Sequence, residues 1–586
     1  MRWAGLIPAG YSAVLAALIA GPLLGSGYLL LRDAVSTPRS YLTDSALGLG
    51  DAAPRAVPQD ALLAAMSPIV DGGLLVKAML LVTLWAAGYG AAVLARELLA
   101  VPVGPQLVAT TVAMWNPFVA ERLLQGHWSL LTGYAALPWT ALVAYRLRAA
   151  GSSIAAWGAL AGCLAAAGLT PTGSLLAGCV ALLTVGRRNM LGTLVLLAAA
   201  SAPWLAATAL SGAGGEPSDP AGVAAFAARA EPGLGTLGSL AGLGGIWNAD
   251  AVPNSRTTPI AIVATALLLV IVASGFRAVA AARPDDRAGL RIRRTLLAMA
   301  VAAVALPALA ATGWGMEVMR WLVVDVPGAG LLRDTQKYVA LAMPAYALCA
   351  AAGCRALAAR IGERAANSAD TRTVARGGAV ATRSVAALFI ALLVVPLLDL
   401  AWGVGGSVRP VHYPIGWQRV AEEIEKPGDV AILPGGMFRR FPYSGKVAVL
   451  DPAPRMLPRD VLQTGRLPVR GLTVAGEGTR AVEVENTLLH GDPAQRLADL
   501  GVGWVLVERS TPGPLGDSAK TLAQLEPRYA DDHFALYRVP GAADRATESQ
   551  GAHRIIAIVA HLLWIALLIG GLLTAAVRRP GRAVRR

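Results

Sequence analysis

Three polar segments interrupt an otherwise apolar chain, and each carries residue types that can move a proton or hold an anion. "NPFVAERLLQGHWSLLTGYAALPW", residues 116–139, places Glu121, Arg122 and His127 between two apolar runs. "GLLRDTQKYVALAMP" crowds Arg333, Asp334 and Lys337 at the start of another run. "LRDAVSTPRSYLTDSALGLGDAAPRAVPQD" supplies Asp33, Asp44, Asp51 and Asp60. A carboxylate held against an apolar boundary loses hydration, which raises its pKa and makes it a better proton acceptor. Two cations against one acid leave a net positive charge at residues 333–337, which suits a phosphate. The plainer readings are that loop aspartates make turns, that Asp33 caps a helix end beside Arg32, and that Arg333 and Asp334 pair with each other.

These segments must be positioned by membrane helices. With 586 residues, 55% hydrophobic, 15% charged and a mean hydropathy of +0.54, the chain falls outside the soluble class and reads as a polytopic α-helical membrane protein. A net charge of +14 invites a nucleic-acid reading, but the Lys and Arg do not gather on one soluble face. Apolar runs of bilayer-crossing length predict about 12 spans, near residues 9–31, 74–95, 101–116, 128–145, 153–169, 173–186, 190–210, 258–276, 295–312, 337–354, 384–403 and 554–577. In that arrangement Arg96, Arg146, Arg148, Arg187, Arg188, the arginines of 277–294 and 355–383, and the tail "RRPGRAVRR" share one side, which the positive-inside rule makes cytoplasmic. Both termini are then cytoplasmic, the first helix is retained rather than cleaved, and the long polar loops face outward. Basic residues in those outer loops are the ones that need a reason. The four cysteines fall within or at the ends of spans and the six histidines are scattered, so neither a disulfide framework nor a zinc site is implied.

The domain plan is a transmembrane part over 1–403, a small extracytoplasmic α/β domain over 404–553, a last helix over 554–577 and a basic tail over 578–586. In 404–553, "DVAILPG", "KVAVLD", "GWVLVER" and "FALYRV" read as strands, and "DPAQRLADLG" and "SAKTLAQLEPRY" as helices. "NPF" ends a helix, because Pro117 cannot continue its ladder. "ERLLQGHW" then reads as an amphipathic turn with Glu121, Arg122 and His127 toward water and Trp128 as an interfacial anchor.

The order of these segments resembles that of the GT-C glycosyltransferases, polytopic enzymes that use polyprenyl-phosphate sugars on the external face. "NPFVAERLLQGHW" is similar to their Gly-His-aromatic segment after a Pro-containing helix end, and "RDTQKY" to a basic helix start in actinobacterial and archaeal members. The resemblance covers roughly residues 1–400; the chain departs from it in having "RD" and spaced aspartates where a paired-acid motif is expected. It implies a base among Asp33, Asp51 and Asp44, and a donor phosphate held by Lys337, Arg333 and Arg122. It also implies that Glu121, His127 and Asp60 contact sugar or acceptor. The partners implied are a polyprenyl-phosphate-linked sugar, an envelope glycan or glycolipid acceptor and the lipid bilayer, with no nucleic acid. No cofactor beyond the donor substrate is implied; the four loop carboxylates could instead hold a divalent ion, as in oligosaccharyl-transferring relatives, but a monophosphate donor needs no metal and their spacing is not diagnostic. The Ala, Gly and Arg bias fits an actinobacterial envelope, with arabinofuranose or mannose as the sugar. The alternatives are a lipid-linked sugar transporter or flippase, which should show inverted repeats and midplane charges, and a non-catalytic envelope-assembly scaffold.

Overall fold

The computed structural model describes residues 5–51, 54, 56–149, 151, 153–211, 219–282, 286–326, 328–366, 371–469, 471–476, 478–544 and 550–577. The basic tail 578–586 and parts of the basic stretches 277–294 and 355–383 lie outside the described residues.

Among the described residues, eight helices are long and apolar enough to cross a membrane: Leu6–Leu24, Gly72–Leu99, Arg187–Leu210, Ile260–Ala280, Arg287–Ala310, Thr335–Arg364, Gly377–Gly406 and Gly551–Thr574. The other four expected spans are helical but shorter or more polar. Val103–Met114 has 12 residues, and Ile154–Ala167 and Pro171–Thr184 have 14 each. At about 1.5 Å per residue none of these three reaches the roughly 30 Å of a hydrocarbon core. Leu130–Ala149 has 20 residues but contains Pro138 and ends on Arg146 and Arg148. These helices bury Val108, Val112, Leu137, Leu142, Leu160, Leu164, Leu176 and Val180 in the main core cluster, inside the bundle.

The first span ends earlier than its apolar run. The α-helix stops at Ala20 and a 3-10 turn covers Gly21–Leu24. Gly21 has φ +44°, and a Cβ there would lie 2.5 Å from the Trp402 Cα, so glycine lets the chain turn against that backbone. The apolar residues Tyr28–Leu31 then form a strand, not helix, paired antiparallel with Ala34–Val35 on one side and Pro410–Val411 on the other. Asp33 therefore lies in a hairpin turn and not at a helix end, which corrects the expectation for it.

Residues 404–544 carry the main sheet. Its strand order is Glu526–Ala530, Phe534–Arg538, Val502–Glu508, Asp429–Leu433, Val461–Leu462, parallel at the last two junctions and antiparallel at the first two. The two-residue period places Val430, Ile432, Trp504 and Leu506 on one face with Trp417, Phe441 and Phe534, and Ala431, Leu433 and Val505 on the other with Val484, Leu488 and Leu497. Both faces are covered, which is why the central strands are continuously apolar. One expected strand forms in a separate ladder, and one expected helix is shorter than its sequence suggests. Val449–Leu450 of "KVAVLD" pairs with Phe438–Arg439 outside this sheet. "SAKTLAQLEPRY" is helical only over Ser518–Leu522, and Glu526–Ala530 becomes the edge strand, a place where Pro527 needs no ladder donor.

The first loop is bound to this sheet region along its length. The Leu450 N–H donates to the Arg32 carbonyl at 2.8 Å, the Tyr413 hydroxyl to the Ser36 carbonyl at 2.9 Å and the Tyr41 N–H to the Arg455 carbonyl at 3.0 Å.

Candidate functional site

The geometry begins at the junction before the 117–125 helix. Asn116 caps that helix by accepting the Val119 N–H at 3.1 Å, and its amide donates to the Val112 carbonyl at 2.9 Å and the Tyr134 hydroxyl at 3.0 Å. Pro117 occupies the first turn, where its missing N–H costs nothing. The helix ends at Gly126, φ +87°, where a Cβ would sit 2.3 Å from the Ala34 nitrogen and 2.5 Å from the Leu31 oxygen. Gly126 thus lets the Asp33 hairpin close onto the helix end. Gly126→Ala should add about 1–2 kcal/mol of left-handed backbone strain and force the hairpin to move. Gly126→Asn, which tolerates the conformation better, keeps the clash. Both variants should melt below the parent in detergent, and a Gly126→Asn protein as stable as the parent would show that the close approach is not needed.

Arg32 and Asp33 form the hairpin turn. Arg32 has φ +47°, and its buried guanidinium donates to the Leu124 carbonyl at 2.5 Å and to the Asp250 carbonyl. The Asp33 N–H donates to the Gln125 carbonyl at 3.1 Å. Asp33 Oδ2 accepts from Gln125 Nε2 at 3.0 Å and lies 3.0 Å from His127 Nε2. The other imidazole nitrogen, Nδ1, is 2.9 Å from Arg122 Nη1. Since a guanidinium only donates, Nδ1 accepts and the proton sits on Nε2, facing Asp33. Arg122 Nη1 also donates to Asp334 Oδ2 at 3.1 Å, and its Nη2 donates to Gln336 Oε1. Lys337 Nζ lies 3.5 Å from the same Asp334 oxygen. Residues 33, 122, 127, 334 and 337 form one continuous chain, Asp33–His127–Arg122–Asp334–Lys337.

Burial orders the chain. The side chains of Asp33, Lys337 and His127 are 30%, 23% and 17% exposed, whereas Arg122 is fully buried. Both side-chain donors to Asp33 reach Oδ2, so Oδ1 is the oxygen available to a further partner. Burial pushes the Asp33 carboxyl up, but the His127 and Gln125 hydrogen bonds and the Lys337 charge outweigh it and hold it below the usual carboxylate range, the reverse of the sequence expectation. Burial lowers the His127 imidazole below its ordinary range, with Lys337 and Arg122 adding to the effect and Asp33 opposing it. Asp33 is therefore a carboxylate and His127 a neutral, oriented ring.

Glu121 does not face water as expected. It is fully buried and accepts the Gly245 and Ile246 N–H groups and Gln336 Nε2, each at 3.1 Å. Burial and the nearby Glu231 charge push its carboxyl up to about 8. It fixes the 244–246 turn, from which Asn248 Nδ2 reaches Gln125 Oε1 at 2.8 Å. Arg122 is likewise buried rather than solvated, because it bridges its own segment, through His127, to Asp334 and Gln336.

The remaining sequence candidates lie apart. Asp51 pairs with Arg480 at 2.7 Å, Asp60 with Arg455 at 3.0 Å and Asp44 with Arg554 at 3.3 Å, so all three tie the first loop to other segments. The Arg333 guanidinium lies 5.0 Å over the Phe226 ring, beside the Asp334 end of the chain. Asp334, Gln336 and Gln125 complete the cluster without being candidates in the sequence. Gln125 follows Glu121 by four positions and shares its helix side, a periodic signal that marks it. Gln336 has no such signal. Among the described residues no group of three or more His, Cys, Asp or Glu side chains converges as a metal site would.

No protein-family model and no curated protein matches the chain. The fold is similar to a cryo-EM structure of the arabinofuranosyltransferase AftD from Mycobacteria, with a TM-score of 0.51 and 16% identity over 93% of this chain and 42% of that one. A second class of the same protein gives a TM-score of 0.47 at 16% identity, over 91% and 42%. The chain thus spans less than half the length of that protein. At this identity the likeness concerns architecture alone: the chain shares the helical membrane fold of that structure.

Proposed function

We propose that the chain is a GT-C-type membrane glycosyltransferase that moves a sugar, arabinofuranose or mannose, from a polyprenyl-phosphate donor to an envelope glycan or glycolipid acceptor on the external face. One observation carries this reading. An ionised, partly open Asp33 is held by an oriented His127, within the same chain of contacts as the cation Lys337. The reaction forms a bond from an acceptor hydroxyl oxygen to the anomeric carbon and breaks the bond from that carbon to the phosphate oxygen. The hydroxyl proton passes to Asp33, and the polyprenyl phosphate departs with its charge met by Lys337 and Arg333. Arg122 acts through His127 and Asp334, and Glu121 through the 244–246 turn; both are positioning residues. The donor carries a monophosphate, so charge stabilisation by these cations serves in place of a metal. Membranes expressing the chain, given each radiolabelled polyprenyl-phosphate sugar, should transfer label from one of them; no transfer from any would reject the reading.

Lys337→Ala should weaken binding of the polyprenyl-phosphate sugar by about 1.5–3 kcal/mol, the size of a lost charge-assisted contact. Asp334 keeps Arg122 as its partner, so the amount of folded protein should not fall. Equal donor affinity in parent and variant would remove Lys337 from the phosphate site.

The orientation belongs to the same proposal: both termini in the cytoplasm and Asp33 outside. Ser45 and Ala230 are exposed. Cysteines placed there should react with a membrane-impermeant thiol reagent on intact cells. Protection until the cells are lysed would invert the arrangement.

A further inference from the structure

The helix Gly313–Asp325 follows the membrane-length helix Arg287–Ala310 after a two-residue turn, with Thr312 accepting the Gly315 N–H as its cap. Its 13 residues make about 20 Å of helix, too little to cross a bilayer. Three sectors run along it. Gly315, Met319 and Val323 recur every four residues and face the protein, the last two packing with Val223 and Leu332. Glu317 and Arg320 form an ion pair on a second side. Trp314, Val318 and Trp321 share the third, at 63%, 45% and 58% exposure, and the exposed Asp325 ends that face at the last residue of the helix.

That third face has something to continue from. The preceding helix exposes Val301, Leu306 and Leu309 on its outer surface, as a helix set in lipid does. Tryptophan favours the level where acyl chains meet headgroups, since its ring is apolar and its indole N–H is polar. A short helix with one protein-facing, one charged and one Trp-bearing apolar sector fits the plane of a membrane surface.

We propose that Gly313–Asp325 is a foot lying in the bilayer surface on the side of the Asp33 cluster, with Trp314, Val318 and Trp321 immersed in lipid and Glu317 and Arg320 toward water. The foot also sets the height of the cationic end of that cluster. Its inner face holds Val223, three residues before Phe226, the ring beneath Arg333, and Leu332, the residue before Arg333. The cation end is thereby fixed at headgroup depth, whatever reaction the cluster performs.

The test needs no transfer measurement. In the full-length chain with its four cysteines replaced by Ala, single cysteines at 314, 318, 320 and 321 carry nitroxide labels in phosphatidylcholine–phosphatidylglycerol vesicles. Collision with oxygen should exceed collision with a water-soluble nickel complex at 314, 318 and 321, and the order should reverse at 320. Nickel access at 314 and 321 equal to that at 320 overturns the foot. Protection of 314, 318 and 321 from both reagents also overturns it, in favour of a protein partner on this face. Circular dichroism and gel filtration of each labelled protein, matched to the parent, establish that the labels report on the folded chain.

Discussion

Asp33→Asn lowers sugar transfer by about a hundredfold or more while binding of the polyprenyl-phosphate sugar persists, on the proposed reading of the site. The substitution keeps the side chain's size and leaves an oxygen to accept from His127 Nε2 and Gln125 Nε2, now each 3.0 Å from Asp33 Oδ2. What it removes is the basicity of the group that takes the acceptor proton. The comparison with the other loop aspartates makes the result specific. Asp51 is 42% exposed and pairs with Arg480, so Asp51→Asn should cost at most about 1 kcal/mol and leave transfer near the parent level. Asp44→Asn and Asp60→Asn should behave similarly, since their partners Arg554 and Arg455 lie outside the cluster. Initial rates at saturating donor, with donor binding measured separately, decide the matter. Full transfer by the Asp33 variant, or a hundredfold loss at Asp51 with none at Asp33, would take the base away from the hairpin.

Arg122→Met destabilises the folded protein by about 3–5 kcal/mol, the usual consequence of removing one partner from a buried ion pair. Arg122 is fully buried and joins His127 Nδ1, Asp334 Oδ2 and Gln336 Oε1, contributed by segments more than 200 positions apart. Methionine fills much of the same volume, so lost packing is a minor part of the change. The Asp334 carboxylate would keep only Lys337, at 3.5 Å, and the imidazole would lose the donor that selects its tautomer. Arg122→Lys retains the charge but offers no planar fork, and should recover only part of the stability. Thermal unfolding in detergent reads the effect, and a melting temperature equal to the parent's would show that Arg122 does not hold these segments together.

Membrane class, most helix positions and the central strands of the sheet were legible in the sequence, because apolar run length and two-residue alternation are local properties. The same locality explains the misreadings. Tyr28–Leu31 is as apolar as the helix before it, and only pairing with Pro410–Val411, nearly 400 positions away, makes it a strand. The "EPRY" segment reads as helix until Phe534–Arg538 offers it a sheet edge.

The candidate site divides on similar lines. The chain of residues alone drew attention to Asp33, Arg122, His127 and Lys337, since charge is costly in an apolar sequence and has to be satisfied by some specific partner. Four aspartates in one loop are equivalent by composition, and only the tertiary structure separated them: three meet arginines from distant segments, and Asp33 alone meets His127. The direction of the Asp33 pKa was likewise decided by the fold. Its sign depends on donors from the 117–125 helix end and a cation from residue 337, and a sequence records neither their distance nor their orientation. Glu121 and Arg122 looked solvated because the amphipathic pattern of "ERLLQGHW" says which residues share a face but not what covers that face. The 244–246 turn and Gln336 cover it, and burial turns two apparent surface charges into the internal frame of the cluster.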